Sequence, residues 1–365
     1  MKTTESLRFF YQLFTKPFFM HSSERFYLYQ MKPLLLSLIL VSFLTPAYAQ
    51  TEDAQTLHEN AKKFMRQGDY ANATVILVRA FEQAPGDIGI AKDLALSYYM
   101  QSDNNRALNS LKPFVDKDNA DAQAYQIVGM VYKRMSQPKD AEKVYKKGLK
   151  SYPESGPLYN DYGELLWSMQ DSQGAIAQWE NGIKAEPSFA GNYYNATKFY
   201  YLSPDKIWEL IYGEIFVNIE SYSSRTAEIK NLLLEGYKKL FSDPDLLTNS
   251  KGKNKFEIAY LTVMNKQNSI VLRGIGAESL TMIRTRFLLD WYRKYANNFP
   301  FFLFDMQKYM AENDLFQAYN QWLFGTAENL GTYQNWVNTH PDQYHAFTEY
   351  LKNRNLKIPN DQYYH

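Results

Sequence analysis

The chain has 365 residues, with 40 Lys and Arg against 39 Asp and Glu, a net charge of +1 at pH 7. Charge this close to balance gives no reason to expect a polyanion partner. The absence of cysteine excludes disulfides, thiolate metal sites, catalytic thiols and a lipid anchor on an N-terminal cysteine.

Residues 1–30 are aromatic and irregular. An export signal is predicted at residues 31–49. Lys32 is its positive start, Leu34 to Leu44 an apolar run broken only by Ser37 and Ser42, and Ala47-Tyr48-Ala49 a small-x-small cleavage site. The run is too short to span a bilayer, which takes roughly 20 residues. Translation is therefore expected to start at Met31, with residues 1–30 an extra segment; an extended signal or transit segment carrying Arg8, Lys16 and Arg25 is the alternative. The mature chain, from about Gln50, is expected to be periplasmic or secreted and not a lipoprotein.

Residues 50–202 are predicted to be a repeat domain. Ala73, Ala107, Ala141 and Ala175 are spaced 34 residues apart. Ala61, Ala95, Gly129 and Gly163 recur at the same period, as do Phe64, Tyr98, Tyr132 and Leu166. So do Ala80, Phe114, Gly148 and Gly182, and then Pro85, Asn119, Pro153 and Pro187. Small, bulky and turn residues at fixed offsets predict stacked helical hairpins. In the third unit, Tyr125, Val128, Gly129 and Tyr132 make one helix face, and Ala141, Val144, Tyr145 and Gly148 another. The small residues permit close helix approach, Gly129 toward Ala141 and Gly163 toward Ala175, with Tyr132, Tyr145, Leu166 and Trp179 filling the space beside them. A fifth unit starts at Tyr193, Thr197 and Tyr200 and then loses the pattern, with Glu209 where alanine is due.

In Leu94-Ala95, Tyr98 and Ala107, and in Gly129, Tyr132, Ala141, Tyr145 and Pro153, the chain resembles the tetratricopeptide repeat family. The first unit adds Gly68-Asp69-Tyr70, Ala73, Ala80 and Pro85; Asn119 and Phe114 depart from the pattern. The resemblance spans about residues 54–190. It implies an all-α, right-handed solenoid of about four to five hairpins, whose first helices line a concave groove. The family's groove positions fall on Lys62, Arg66, Lys92, Leu96, Tyr99, Gln126, Met130, Lys133, Arg134, Asn160, Glu164 and Trp167. That groove would be basic, with Tyr99 and Trp167 as apolar anchors, suited to an acidic peptide or a free carboxylate. The asparagine pair of the family's carboxylate clamp is missing. The tyrosine-, lysine- and asparagine-rich style also resembles exported repeat proteins of the Bacteroidota.

Residues 203–365 are predicted to form a further helical region capping the array. Ser203-Pro204-Asp205 starts a helix carrying Ile207, Ile211, Ile215 and Ile219. Helices follow at 228–241, from 256, at 277–295, 301–310, 315–324, 332–337 and 342–351. Asp205, Glu209 and Glu214 read as a solvated face, and Ser221 to Arg225 as a helix break and cap. Gly274-Ile275-Gly276 lacks the remaining phosphate-loop residues and reads as a turn. His340 and His345 are five apart with Pro341 between them, which fits a helix start better than a metal site.

With no catalytic motif, metal or cofactor site, the sequence predicts an exported, non-enzymatic scaffold. Its partner would be a protein or peptide held in the groove, with no nucleic acid and no stable membrane insertion, in envelope assembly or maintenance. The alternative is an enzyme or glycan-binding protein with its site in residues 203–365.

Overall fold

A computed structural model describes residues 52–248, 250–272 and 274–365. The predicted signal and the segment before it lie outside the described residues. Five helical hairpins follow in order. They are α1 (Ala54–Arg66) with α2 (Tyr70–Gln83), α3 (Ile88–Met100) with α4 (Asn104–Asp116), and α5 (Ala122–Arg134) with α6 (Pro138–Ser151). Then come α7 (Gly156–Ser168) with α8 (Ser172–Ala185), and α9 (Ala190–Leu202) with α10 (Lys206–Ile219). Each helix packs on the next, which makes the array a right-handed all-α solenoid.

The turns show why. Gly68, Ser102, Ser136 and Gln170 take φ of 76, 64, 58 and 66°, the left-handed residue that closes a helix C-terminus. Asp69, Asp103 and Asp171 follow three of them and accept the first free amides of the second helix. The next position in that period is Pro204, whose ring fixes φ near −65° and forbids the left-handed turn. The chain leaves α9 at Ser203 in extended geometry instead, and Asp205 caps α10. The pattern is therefore lost at residue 203 while the fifth hairpin itself persists across it, and residues 54–365 pack as one unit. Between the second and third hairpins, where Asn119 replaces proline, α4 ends at Asp116 and Asp118 takes a left-handed turn at φ 55°.

Within a hairpin, size is matched across the interface sixteen positions apart. Gly129 lies against Tyr145 and Gly163 against Trp179, two of the bulky residues expected to fill the space beside the small positions. Ala61 with Leu77 and Ala95 with Leu111, all fully buried, hold the same offsets. In the fifth hairpin the sizes are exchanged: Thr197 stands on the first helix and Gly213 faces its methyl group. A Cβ on Gly163 would sit 2.3 Å from Trp179 Nε1, and that indole is buried and donates to Asn160 O at 3.3 Å. Gly→Ala in a helix normally stabilises by about 1 kcal/mol. Gly163→Ala is expected to destabilise by about 1–3 kcal/mol through overpacking; a urea midpoint raised by the substitution would contradict the packing.

After the hairpins come α11 (Ser224–Leu240), α12 (Lys255–Asn265), the short α13 (Asn268–Val271), α14 (Ala277–Lys294), α15 (Phe302–Glu312) and α16 (Phe316–Asn320). A π-turn at Gln321–Gly325 leads through α17 (Thr326–Glu328) to α18 (Leu330–Thr339) and α19 (Pro341–Asn353). The predicted helix at 315–324 is therefore α-helical only to Asn320. Ser223 and Thr226 form a capping box at α11, in the segment read as a break and cap. Phe256, Phe287, Trp291, Phe301 and Phe304 form an aromatic interior in which most rings meet edge to face and Phe287 stacks on Trp291.

The expected solvated face of Asp205, Glu209 and Glu214 is corrected: Glu209 and Glu214 are buried. Glu209 occupies the repeat's alanine position because the facing residue is Gly236, where a Cβ would meet its carboxylate, and Lys206 Nζ lies 3.0 Å away. Burial pushes its pKa up. Glu214 pairs with buried Arg284 and accepts from Gln307 Nε2 at 2.8 Å and Tyr319 Oη at 2.7 Å. Gly274-Ile275-Gly276 leads into α14, whose first amide, Ala277 N, donates to Glu328 Oε2 at 2.6 Å. That carboxylate takes the place a phosphate would need. His340 stacks on Trp336 at 4.6 Å and precedes Pro341 at the start of α19. Among the described residues no helix is long and apolar enough to cross a membrane, and no group of three or more His, Asp or Glu is arranged to hold a metal ion.

Candidate functional site

The first helices α1, α3, α5 and α7 carry the predicted groove residues. Most of these side chains are spent on joining one hairpin to the next. Lys92 on α3 donates to Asp121 at 2.5 Å and to Gln123 at 3.0 Å. Gln126 donates to Asp161 at 2.7 Å, and Lys133 pairs with Glu164 at 3.2 Å. Arg134 lies over the Tyr99 ring, 3.5 Å from its centroid, and donates to Tyr99 O. Asn160 is buried, donates to Glu164 at 3.2 Å and accepts from Asn195 at 2.9 Å.

His58 with Asp93, Gln126 with Asp161 and Asn160 with Asn195 share a separation of 35 residues, so one polar ladder runs along the face. The expectation of a basic groove is thereby corrected. Lys92 and Lys133 are neutralised by the acid of the following hairpin, because stacked repeats place these positions side by side. Lys62 pairs with Glu59 one turn away, and Arg66 is exposed. Leu96 and Met130 are half-buried.

Asp161 in this ladder has its carboxyl pushed up to about 6 by burial, against the hydrogen bond from Gln126. An unfolded aspartate titrates near 4. The folded value is the higher one, so the contribution of this group is full below about pH 4 and is lost as pH rises through about 6. Asp161→Asn is expected to gain about 1 kcal/mol on the parent between pH 4.5 and pH 7.5, after discounting for partial exposure. Equal urea-midpoint differences at the two pH values would contradict this.

At the end of the array the ladder opens into a cleft of about 490 Å³ between α5, α7, α9 and α11. Trp167 and Trp179 form its aromatic floor with ring centroids 6.0 Å apart, and Phe199 meets Trp167 edge-on at 6.4 Å. Leu202 and Leu232 continue the apolar wall. Two ion pairs form the rim, Lys133 with Glu164 at 3.2 Å and Lys198 with Glu228 at 2.9 Å. Trp167 is 43% exposed and Leu202 71%, so two large apolar side chains are open to solvent at the same cleft.

Of the predicted site residues, the cleft gathers Lys133, Trp167 and Glu164. Lys62, Arg66, Lys92, Tyr99, Gln126, Met130, Arg134 and Asn160 do not line it. Sequence reasoning missed Asn195, Lys198, Phe199, Tyr201, Leu202, Glu228 and Leu232. Lys198 and Tyr201 were within reach, since they stand one 34-residue period beyond Glu164 and Trp167. Glu228 and Leu232 come from α11, which no repeat offset reaches.

The family model for the tetratricopeptide repeat matches residues 122–155, α5 to α6 and the link beyond. The array is a tetratricopeptide-repeat array. No curated protein is similar in sequence. Among solved structures, the repeat region is similar to the crystal structure of MamA, with 21% identity over 46% of this chain and 96% of that one and a TM-score of 0.38. A thermophilic tetratricopeptide-repeat protein of Thermus thermophilus is 16% identical over 50% of this chain and 99% of its own, with a TM-score of 0.42. PilW, described as a type IV pilus biogenesis factor, is 16% identical over 55% and 95%, with a TM-score of 0.43. The stacked hairpins form the groove, and the last of them with α11 forms the cleft.

Proposed function

We propose that the protein is an exported, non-catalytic tetratricopeptide-repeat scaffold that holds a protein or peptide partner in the cleft at the end of its groove. Its place would be in assembly or maintenance of a cell-envelope complex. The observation that carries the reading is the exposed Trp167 and Leu202 at the mouth of an apolar cleft whose rim charges already neutralise one another. Such a rim does not attract a strongly charged ligand. It favours a segment that inserts an apolar or aromatic side chain and lays its polar backbone across the two ion pairs. Export rests on the segment at residues 31–49 alone.

The test is a crosslinked pull-down from envelope extract with the chain from Gln50, beside Trp167→Ala/Leu202→Ser. A partner captured by the parent and lost by the folded variant supports the reading. A partner held equally by both removes the cleft from it.

A further inference from the structure

Beyond α19 the chain runs through residues 355–365 without a helix. Arg354 marks where this segment leaves, fixed to Asn218 Oδ1 and O on α10 at 2.6 Å each. None of residues 355–365 is fully buried, but Trp208, Tyr212 and Phe256, which they cover, are. Tyr364 stacks on Phe256 at 4.7 Å, and His365 meets Trp208 edge-on at 4.8 Å. Gln362 Oε1 accepts from Phe302 N at 2.6 Å, and Tyr364 O from Asn254 Nδ2 at 2.7 Å. The segment is thus an extended strap laid across α8, α10 and the starts of α12 and α15.

One of its fastenings is a triangle of hydrogen bonds. Tyr200 Oη on α9 lies 2.6 Å from Glu180 Oε1 on α8. The His365 ring spans the two, with Nε2 2.8 Å from Tyr200 Oη and Nδ1 3.1 Å from Glu180 Oε1. A neutral imidazole carries one N–H, a phenol one O–H and a carboxylate none. Two protons cannot serve three contacts, so one side of the triangle would set lone pair against lone pair. A third proton, shared between Glu180 and Nδ1, completes the ring: Nε2–H donates to Tyr200, Tyr200 donates to Glu180, and the shared proton closes the last side. Glu180 and His365 then carry no net charge together.

Among the described residues no lysine or arginine pairs with Glu180, whose side chain is 15% exposed. The other charges around His365 are matched among themselves. Lys253 pairs with Asp205 at 2.6 Å and with Glu257 at 3.5 Å, and Glu257 accepts from Trp208 Nε1 at 3.0 Å. Tyr363, on the strap, lies near Glu180 and Tyr212. Burial holds the Tyr200 and Tyr363 phenols above their usual range, so both keep their protons.

We propose that residues 355–365 are a releasable strap, fastened by the proton shared within the Glu180–Tyr200–His365 triangle and released when that proton is lost, which uncovers Trp208, Tyr212 and Phe256. The direction follows from the two groups. Burial pushes the Glu180 carboxyl up to about 7, above its ordinary 4.5. Its contribution is therefore full below about 4.5 and is lost as pH rises through 7, about tenfold in the fastening constant for each further unit. Burial lowers the His365 imidazole from its ordinary 6.5, so its contribution is present above 6.5 and is lost as pH falls through the lowered value. The strap is held best in weakly acid solution.

The chain has no cysteine, so introduced thiols can carry spin labels without background. The experiment is the electron–electron distance between labels at Asp361→Cys, exposed on the strap, and Val75→Cys, exposed on α2, in the full chain at pH 6 and pH 9. One narrow distance is expected at pH 6. A second, broad population is expected at pH 9, as the ratio of fastened to released falls about a hundredfold. Glu180→Gln, which stays neutral, is expected to keep the narrow distance at both pH values. Asp205→Asn alters a carboxylate already paired with Lys253 and is expected to respond to pH as the parent does. A parent with the same narrow distance at both pH values would overturn the proposal. So would a Glu180→Gln chain that releases like the parent, an Asp205→Asn chain that does not respond, or far-ultraviolet ellipticity lost between pH 6 and pH 9.

Discussion

Arg284→Met is expected to lower the stability of the protein by about 3–5 kcal/mol, the cost of leaving one partner of a buried ion pair alone. Arg284 is 2% exposed and Glu214 3%. Arg284 donates through Nη2 to Glu214 and through Nη1 to Asn320 Oδ1. With methionine in its place, the Glu214 carboxylate keeps Gln307 and Tyr319 as donors, at 2.8 and 2.7 Å, but has no positive charge near it. The loss extends further than the pair. Tyr319 Oη also accepts from Asn218 Nδ2 at 2.7 Å, and Asn218 accepts from Arg354, so five segments remote in sequence, those of Asn218, Arg284, Gln307, Tyr319 and Arg354, meet at one set of hydrogen bonds. The companion variant Glu214→Leu/Arg284→Met removes both charges and should recover most of the loss, since apolar replacements of a buried pair are often neutral or better. Urea unfolding of the three proteins measures this. A single variant as stable as the parent, or a double variant as damaged as the single, would contradict a buried, charged pair.

The second large effect belongs to the cleft. Trp167→Ala is expected to weaken partner binding by roughly 30-fold or more, about 2 kcal/mol, the range of a buried aromatic anchor at an interface. The same substitution should change folding stability by less, because Trp167 packs on Trp179 and Phe199 but is 43% exposed. Lys92→Ala, by contrast, breaks the contact with Asp121 between the second and third hairpins and should leave binding within about threefold. Titration of each variant with the captured partner separates the two. Equal losses from Trp167→Ala and Lys92→Ala would mean that the whole face, and not the cleft, holds the ligand.

The hairpins were legible because packing forces a period. A glycine opposite Tyr145 or Trp179 has no alternative at that distance, and a left-handed turn at Gly68, Ser102, Ser136 and Gln170 has to recur in register. The fifth hairpin was half legible. Pro204 cannot adopt the repeat's turn and Glu209 replaces its alanine, and the compensations, an extended exit at Ser203 and Gly236 on α11, lie outside the repeat.

The site was less legible than the fold, for a related reason. Repeat offsets say which side chains face the groove but not which of them the next hairpin already holds. Lys92, Lys133 and Gln126 face it and are bound to Asp121, Glu164 and Asp161. Residues such as Glu228 and Leu232 reach the cleft only because α11 folds back on α9, a contact between segments that no local pattern encodes. Glu214 and Arg284 are a further case. Seventy residues separate them, and each alone reads as a surface charge on an amphipathic helix.

The most direct measurement of the central claim is site-specific photocrosslinking in the envelope, with a benzophenone side chain placed at one position at a time. Leu202 stands at the mouth of the cleft, and Val75, 63% exposed on α2, stands on the second helix of the first hairpin. The account predicts one discrete crosslinked product at Leu202, lost when Trp167 is alanine, and none at Val75. A product at Val75 with none at Leu202 would contradict it.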